Sequence, residues 1–275
     1  MADAEPTEGE APEPTVELTQ EMLAGGLSGL GKTMDGTGVA MTQLSLPSMS
    51  LGTIVLLSSL ANVRHIDISG NLVPDLEPLH GLGQLLSLNA SGNRISSVAL
   101  PRMEFLQLLD LSSNTIKGVF SGLDLPCLRH LKLSSNEIES VGGLEGSTQL
   151  QRLELDSNKL ASCEGLKLDS IKILKLNSNA IVSLEGLPQS GALIKVEMGH
   201  NQVASFDEGV KGLIPSSVVE LDLSENPLME GLDRVKFVVE VGGLKVLNTT
   251  PVTDDERAAA DLILNPPPAE EAPAE

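Results

Sequence analysis

Leu128-Arg-His-Leu-Lys-Leu-Ser-Ser-Asn136 is the stretch that decides the fold. Apolar residues stand eight, five and three places before its asparagine, and the same spacing returns at Asn71, Asn93, Asn114, Asn158, Asn179, Asn201 and Asn226. The steps from one asparagine to the next are 22, 21, 22, 22, 21, 22 and 25 residues, and no apolar position fails in any of the eight copies. In Leu131-Lys-Leu133 successive side chains point to opposite faces, so the leucines face a core and Lys132 faces solvent, which fits a short strand. Strand stacked on strand gives a parallel sheet. The asparagine falls where the chain turns away, and its amide can both donate to and accept from backbone groups of adjoining coils that would otherwise be buried unpaired.

After each asparagine an apolar residue returns two places on, and mostly five places on, Val119 and Phe206 among the latter. Each coil thus supplies about six aliphatic groups, each contributing ~1.5–3 kcal/mol of burial before entropy is subtracted, and no coil is stable alone. Only four aromatic residues occur, all Phe, so the interior has to be layered from Leu, Ile and Val. Glu-Gly-Leu and Gly-Gly-Leu steps at Gly142–Leu144, Glu164–Leu166 and Glu185–Leu187 predict a short convex side of 3₁₀ turns. The spacing LxxLxLxxN is the leucine-rich-repeat pattern, and it predicts an α/β solenoid with a curved parallel sheet on its concave side. A weaker copy over residues 41–57, with Met49 in the asparagine slot, makes a ninth coil.

Caps are expected at both ends, because an open solenoid end is a raw apolar face and a strand edge. Residues 16–40 are read as an N-terminal cap with a helix from Val16 to Leu23 capped by Thr19, and residues 41–240 as the repeats. Residues 241–264 are read as the C-terminal cap, closed by a helix from Thr253, which carries a Thr N-cap, Glu256 at the third helical position and acids in its first turn. Residues 1–15 and 265–275 are acidic and Pro-rich and are expected to be disordered.

Of the 275 residues, 38 are acidic and 18 basic, a formal charge of −20. The first 31 residues and the stretch from Asp254 onward each hold seven acids, which leaves 24 acids and 17 bases, a balance of −7, between them. Nucleic acid and anionic membrane are therefore excluded as expected partners, since both need clustered Lys and Arg. The first residues show no basic and apolar leader, which with no run long enough to span a bilayer predicts the cytoplasm or cytoskeleton. Cys127 and Cys163 lie in apolar sequence and are read as two buried, reduced thiols.

Gly26-Leu-Ser-Gly-Leu-Gly-Lys-Thr33 matches the phosphate-loop pattern GxxxxGK[ST] letter for letter. A working loop needs a buried strand before it and a helix after it, so that backbone amides converge on the phosphates. Neither flank is present, and the segment reads as a Gly-rich connection. A nucleotide hydrolase using Lys32 is the enzyme hypothesis, and no cofactor, small-molecule substrate or metal is expected. Of the four histidines, His65, His80, His130 and His200, His65 and His130 share an outward strand position roughly three coils apart, too far for one metal, and His200 has no Cys or His near it in sequence and reads as a solvated surface imidazole. Serines before the asparagines recur too regularly for any one to be a nucleophile.

The informative surface is the concave one. Its outward strand positions form a row of mixed charge, with Leu108 and Ile173 beside Lys132 and Arg152 as a docking strip. Asp67, Leu108, Asp110, His130, Lys132, Arg152, Glu154, Ile173, Lys175, Lys195 and Glu197 are the candidate protein-binding residues, and the eight asparagines are the candidate structural ladder.

The repeats, the Glu-Gly-Leu steps and Pro251-Val-Thr-Asp-Asp-Glu-Arg257 resemble the 22-residue leucine-rich-repeat subfamily that holds a phosphatase regulator of the Sds type and several axonemal proteins. Within it, Leu18-Thr-Gln-Glu-Met-Leu23, Gly26-Leu27, Lys32-Thr33, Ile54-Val-Leu-Leu57 and Ile66-Asp-Ile-Ser-Gly-Asn71 resemble the leucine-rich repeat-containing protein twenty-three family, radial-spoke proteins of motile cilia and flagella. The resemblance spans about residues 18–263. It implies a non-enzymatic scaffold in the spoke head region of the axoneme, with other spoke and axonemal proteins as partners. The rival it leaves open is a regulatory or targeting subunit of a protein phosphatase.

Overall fold

In a computed structural model the described residues are 14–118, 123–204 and 213–265. Residues 1–13 and 266–275, which make up most of the expected tails, lie outside them, as do Val119 and Phe206.

The eight LxL segments form β5 (His65–Asp67), β6 (Ser87–Asn89), β7 (Leu108–Asp110), β8 (His130–Lys132), β9 (Arg152–Glu154), β10 (Ile173–Lys175), β11 (Lys195–Glu197) and β12 (Glu220–Asp222). Each is three residues long and pairs in parallel with the next coil's strand in unbroken register, so Leu131 lies between Leu109 and Leu153. The middle residue is buried in every strand and the flanking two face out, because a strand this short has one side chain per coil aimed at the core. β3 (Val39–Ser45) precedes β5 and β13 (Val246–Leu247) follows β12, also in parallel. At both ends the direction then reverses: β2 (Leu27–Lys32) pairs antiparallel with β3, and β14 (Thr250–Pro251) antiparallel with β13. Among the described residues these strands make a sheet of 12 over an aliphatic core.

The convex turns are 3₁₀ at Val55–Ser59, Glu77–Leu79 and Pro227–Met229. The Glu-Gly-Leu coils make plain turns instead, departing from the 3₁₀ expectation. Their glycine is nevertheless required: Gly165 has φ +89°, and a Cβ there would sit 2.0 Å from the Val141 carbonyl oxygen of the preceding coil.

Both ends depart in detail from the sequence reading. Val16–Glu17 is not helical; it forms β1, pairing with β4 (Leu51–Thr53), and α1 (Gln20–Gly26) begins only after Thr19, whose hydroxyl accepts from the Met22 N–H. Gly26–Thr33 is not a connection, because almost all of it is β2. α2 (Arg234–Glu240) is capped by Asp233, and α3 (Asp254–Leu264) by a reciprocal box between Thr253 and Glu256. Arg234 ties the two helices to the last hairpin: Nε meets Glu256 Oε1, while its terminal nitrogens donate to the carbonyls of Leu247, Thr250 and Pro251. Phe237, on α2, is wholly buried and seals the last coil.

Candidate protein-binding face

The asparagines stand in one row behind the sheet, seven of them buried and Asn179 half-buried. Asn136 is typical: Oδ1 accepts from Ile116 N at 3.1 Å in the preceding coil, and Nδ2 donates to Leu111 O there and to Leu133 O in its own coil, at 3.0 and 2.9 Å. Leu133 O in turn accepts from Asn158. Each amide therefore serves the coil before it. That explains Met49, since the coil before it is replaced by the reversed strand β2 and presents no such groups. Asn71 compensates by accepting from both Met49 N and Leu51 N.

Immediately before each asparagine the backbone is left-handed, with φ between 54° and 66° at Gly70, Gly92, Ser113, Ser135, Ser157, Ser178, His200, Glu225 and, before Met49, Ser48. A small or polar residue suits that site, which accounts for the recurrent serine and for the isolation of His200.

Across the concave sheet most of the candidate residues fall into three groups of paired side chains. Lys132 Nζ meets Asp110 at 3.1 Å, His130 Nε2 and Arg152 Nε meet the same Glu154 Oε1 at 2.8 and 2.6 Å, and Lys175 and Lys195 meet Glu197 at 3.1 and 3.2 Å. Lys195 also reaches Glu220 at 3.0 Å. Burial pushes Glu154 upward, but hydrogen bonds from His130 and Arg152 outweigh it and leave the carboxyl below its ordinary range. Glu197 has the same balance, with Lys175 and Lys195 outweighing burial.

Asp67 is turned onto its own strand end and accepts from Ser69 N and Oγ. Leu108 and Ile173 are half-buried rather than exposed, and three rungs separate them, about 14 Å at 4.8 Å per rung. They end one register row, Leu108, His130, Arg152, Ile173, with Lys132 two places along β8.

Two residues of this face escaped the sequence reading. Asp156 Oδ1 accepts from both Asn177 N and Nδ2 at 2.9 Å, and Asn177 Nδ2 also reaches Glu197 Oε2 at 3.2 Å. Burial raises the Asp156 carboxyl, and the hydrogen bonds from Asn177 only partly offset it. The signal was available: with Gly199, these two break the run of serines two places before the asparagines, and they alone put a polar carboxylate or amide there.

The chemistry-bearing motifs come apart in the structure. Lys32 lies exposed on β2 with its carbonyl taken by Arg64, and Thr33 Oγ1 hydrogen-bonds Asp35, so no anion cradle is formed. Asp35, accepting from Thr33 and then Thr37, is held down to about 2. His65 Nδ1 is 2.8 Å from Ser87 Oγ and His80 Nε2 3.0 Å from the Ala99 carbonyl. Among the described residues no three His, Cys, Asp or Glu side chains are placed to hold a metal, and no helix is long and apolar enough to cross a membrane. Neither cysteine is disulfide-bonded. Cys163 is buried, which pushes its thiol up to about 12, but Cys127 is exposed, contrary to the sequence expectation.

A family model for the leucine-rich repeat matches residues 124–145. Among solved structures, two internalins of Listeria monocytogenes superpose with TM-scores of 0.59 and 0.55 at 22% identity, covering 78% of this chain and 70% and 80% of theirs. This is a leucine-rich-repeat solenoid. By sequence it is similar to Leucine-rich repeat-containing protein 23 of Homo sapiens, 36% identical over 128 residues, and of Mus musculus, 32% identical over 151 residues. Those matches take in 46% and 55% of the solenoid chain and only 37% and 41% of the two relatives. Folds of this kind typically serve as interaction scaffolds, displaying the side chains of a continuous sheet to other proteins.

Proposed function

We propose that the chain is a non-catalytic scaffold of the motile-cilium axoneme, a radial-spoke subunit of the head region that holds neighbouring spoke proteins through its concave sheet and terminal segments. The observation that carries it is the similarity to Leucine-rich repeat-containing protein 23, joined to a concave face built as a fixed array of mutually paired side chains. Such an array loses little side-chain entropy when a partner docks, because its charged groups are already held. A hydrolase reading finds no support in the residues that motivated it, since the Lys32 segment is extended strand.

The test is fractionation of cilia. The chain should stay with detergent-extracted axonemes and leave only when the spokes are released. A free cytosolic pool in non-ciliated cells, with recovery of a phosphatase catalytic subunit, would replace the reading with that of a phosphatase regulator.

A further inference from the structure

The concave sheet is electrically polarised across its strands. On the leading side, the position just before each strand and the first strand position together hold Arg64, Arg129, Arg152, Lys172, Lys195 and Lys245 against one acid, Glu220, over β5 to β13. On the trailing side, the third strand position and the one two places beyond it hold Asp67, Asp110, Glu154, Asp156, Glu197 and Asp222 against Lys132 and Lys175. A chain with a net charge of −20 thus carries one basic border.

Within that border the cations differ in what they touch. Arg152 and Lys195 are consumed by Glu154, Glu197 and Glu220, and Arg64 donates to the Lys32 carbonyl. Arg129, Lys172 and Lys245 are exposed and make no ion pair or side-chain hydrogen bond with any described residue. They share a single backbone row, shown by the ladder bonds Arg129 N to Gln107 O, Lys172 N to Gln151 O and Lys245 N to Val219 O, at 2.8–2.9 Å. Two rungs separate the first pair and three the second, about 10 and 14 Å at 4.8 Å per rung. Between the last two lies Ile194, 46% exposed.

We infer that this leading border is a docking edge for an extended acidic segment of a partner protein, laid across the coils from Arg129 to Lys245. Charge complementarity selects the occupant, since three unpaired cations in a row have no counter-charge within the described fold. The spacing selects its pattern. At about 3.3 Å per residue, a strand matches these gaps with carboxylates four and then four residues apart, about 13 Å each; the even spacing keeps all three on the face toward the border, the long Arg and Glu side chains take up the ~3 Å excess of the first gap, and an apolar residue midway between the last two would cover Ile194. A nucleic acid is the poorer fit, because the acidic trailing side faces the same trough and no aromatic ring lines either row for bases to stack on.

This deepens the scaffold reading above and rests on it. The probe is a fluorescein-labelled peptide with three glutamates at those spacings and one isoleucine between the last two, titrated into the full chain at low salt. Binding is expected, steeply weakened by added salt and weakened at least about tenfold in the triple variant Arg129→Gln, Lys172→Gln, Lys245→Gln. A control triple of equal charge change, Lys32→Gln, Lys117→Gln, Lys167→Gln, should bind as the parent does; all six side chains are exposed and circular dichroism checks the fold. No binding at low salt, equal loss in both triples, or tighter binding of an oligouridylate through the same three residues would overturn the docking edge. The scaffold reading is judged separately by axonemal retention, so an intact spoke association beside a failed peptide titration discards this edge alone.

Discussion

The asparagine ladder shows at single-residue resolution why a solenoid of identical layers holds together. Asn136→Ala leaves Ile116 N–H without its acceptor, while the Leu111 carbonyl keeps the Asn114 amide of its own coil and the Leu133 carbonyl keeps the Asn158 amide of the next. One orphaned buried donor costs roughly 1–3 kcal/mol, and the thinned carbonyls add to it, so the expected loss is about 2–4 kcal/mol. Urea denaturation reads it as a lower midpoint with an unchanged slope. A midpoint within error of the parent would mean that water replaces the amide and that the ladder is not what binds coil to coil. Position 49 is the natural counterpart of that variant, tolerated because no coil precedes it.

Individual elements were legible to different depths. Strands β5 to β12 follow from the apolar spacing because each needs only one inward side chain per coil, and that demand repeats eight times. The closing helix α3 carries its own signals in sequence: Thr253, three acids in the first turn, and Glu256 placed to reach back. Thr253→Ala removes the acceptor for Glu256 N–H but leaves Thr253 N–H donating to Glu256, so about 1 kcal/mol is expected, seen as faster amide exchange confined to α3. What stayed hidden has a common cause. β2 is glycine-rich and short of β-branched residues, so nothing local marks it as a strand; it is extended because pairing with β3 covers an edge that would otherwise be open. On the candidate face, the row of outward residues could be read by counting back from each asparagine. The choice of ion-pair partners could not, because whether Glu154 meets His130, Arg152 or Lys132 depends on rotamers across neighbouring rungs.

For the molecule as a whole, the concave ion pairs make stability depend on pH in two opposing senses. Glu154 and Glu197 titrate below the ordinary glutamate value, so they favour the folded state fully above about 4.3 and lose that contribution as pH falls through their folded values. Asp156 titrates above the ordinary value, so folding is penalised as pH rises past about 3.9, and the penalty persists at neutrality. Asp156→Asn, which can still accept from Asn177, should therefore raise the urea midpoint at pH 7, with the gain fading as the parent protonates in acid. Glu154→Gln should lower the midpoint at pH 7, and its deficit should fade in acid too. If Asp156→Asn lowers the midpoint at neutrality, the carboxylate's hydrogen bonds outweigh its burial.

The two reversed terminal strands fix the span of the assembly. A second copy approaching end-on would meet β2 or β14, whose polarity opposes that of the coils behind them, so it could not prolong the same series of layers. Length is thereby written into the chain itself, and the protein can act as a gauge. Inserting one 22-residue coil should move everything attached at the far end by one strand spacing, about 4.8 Å.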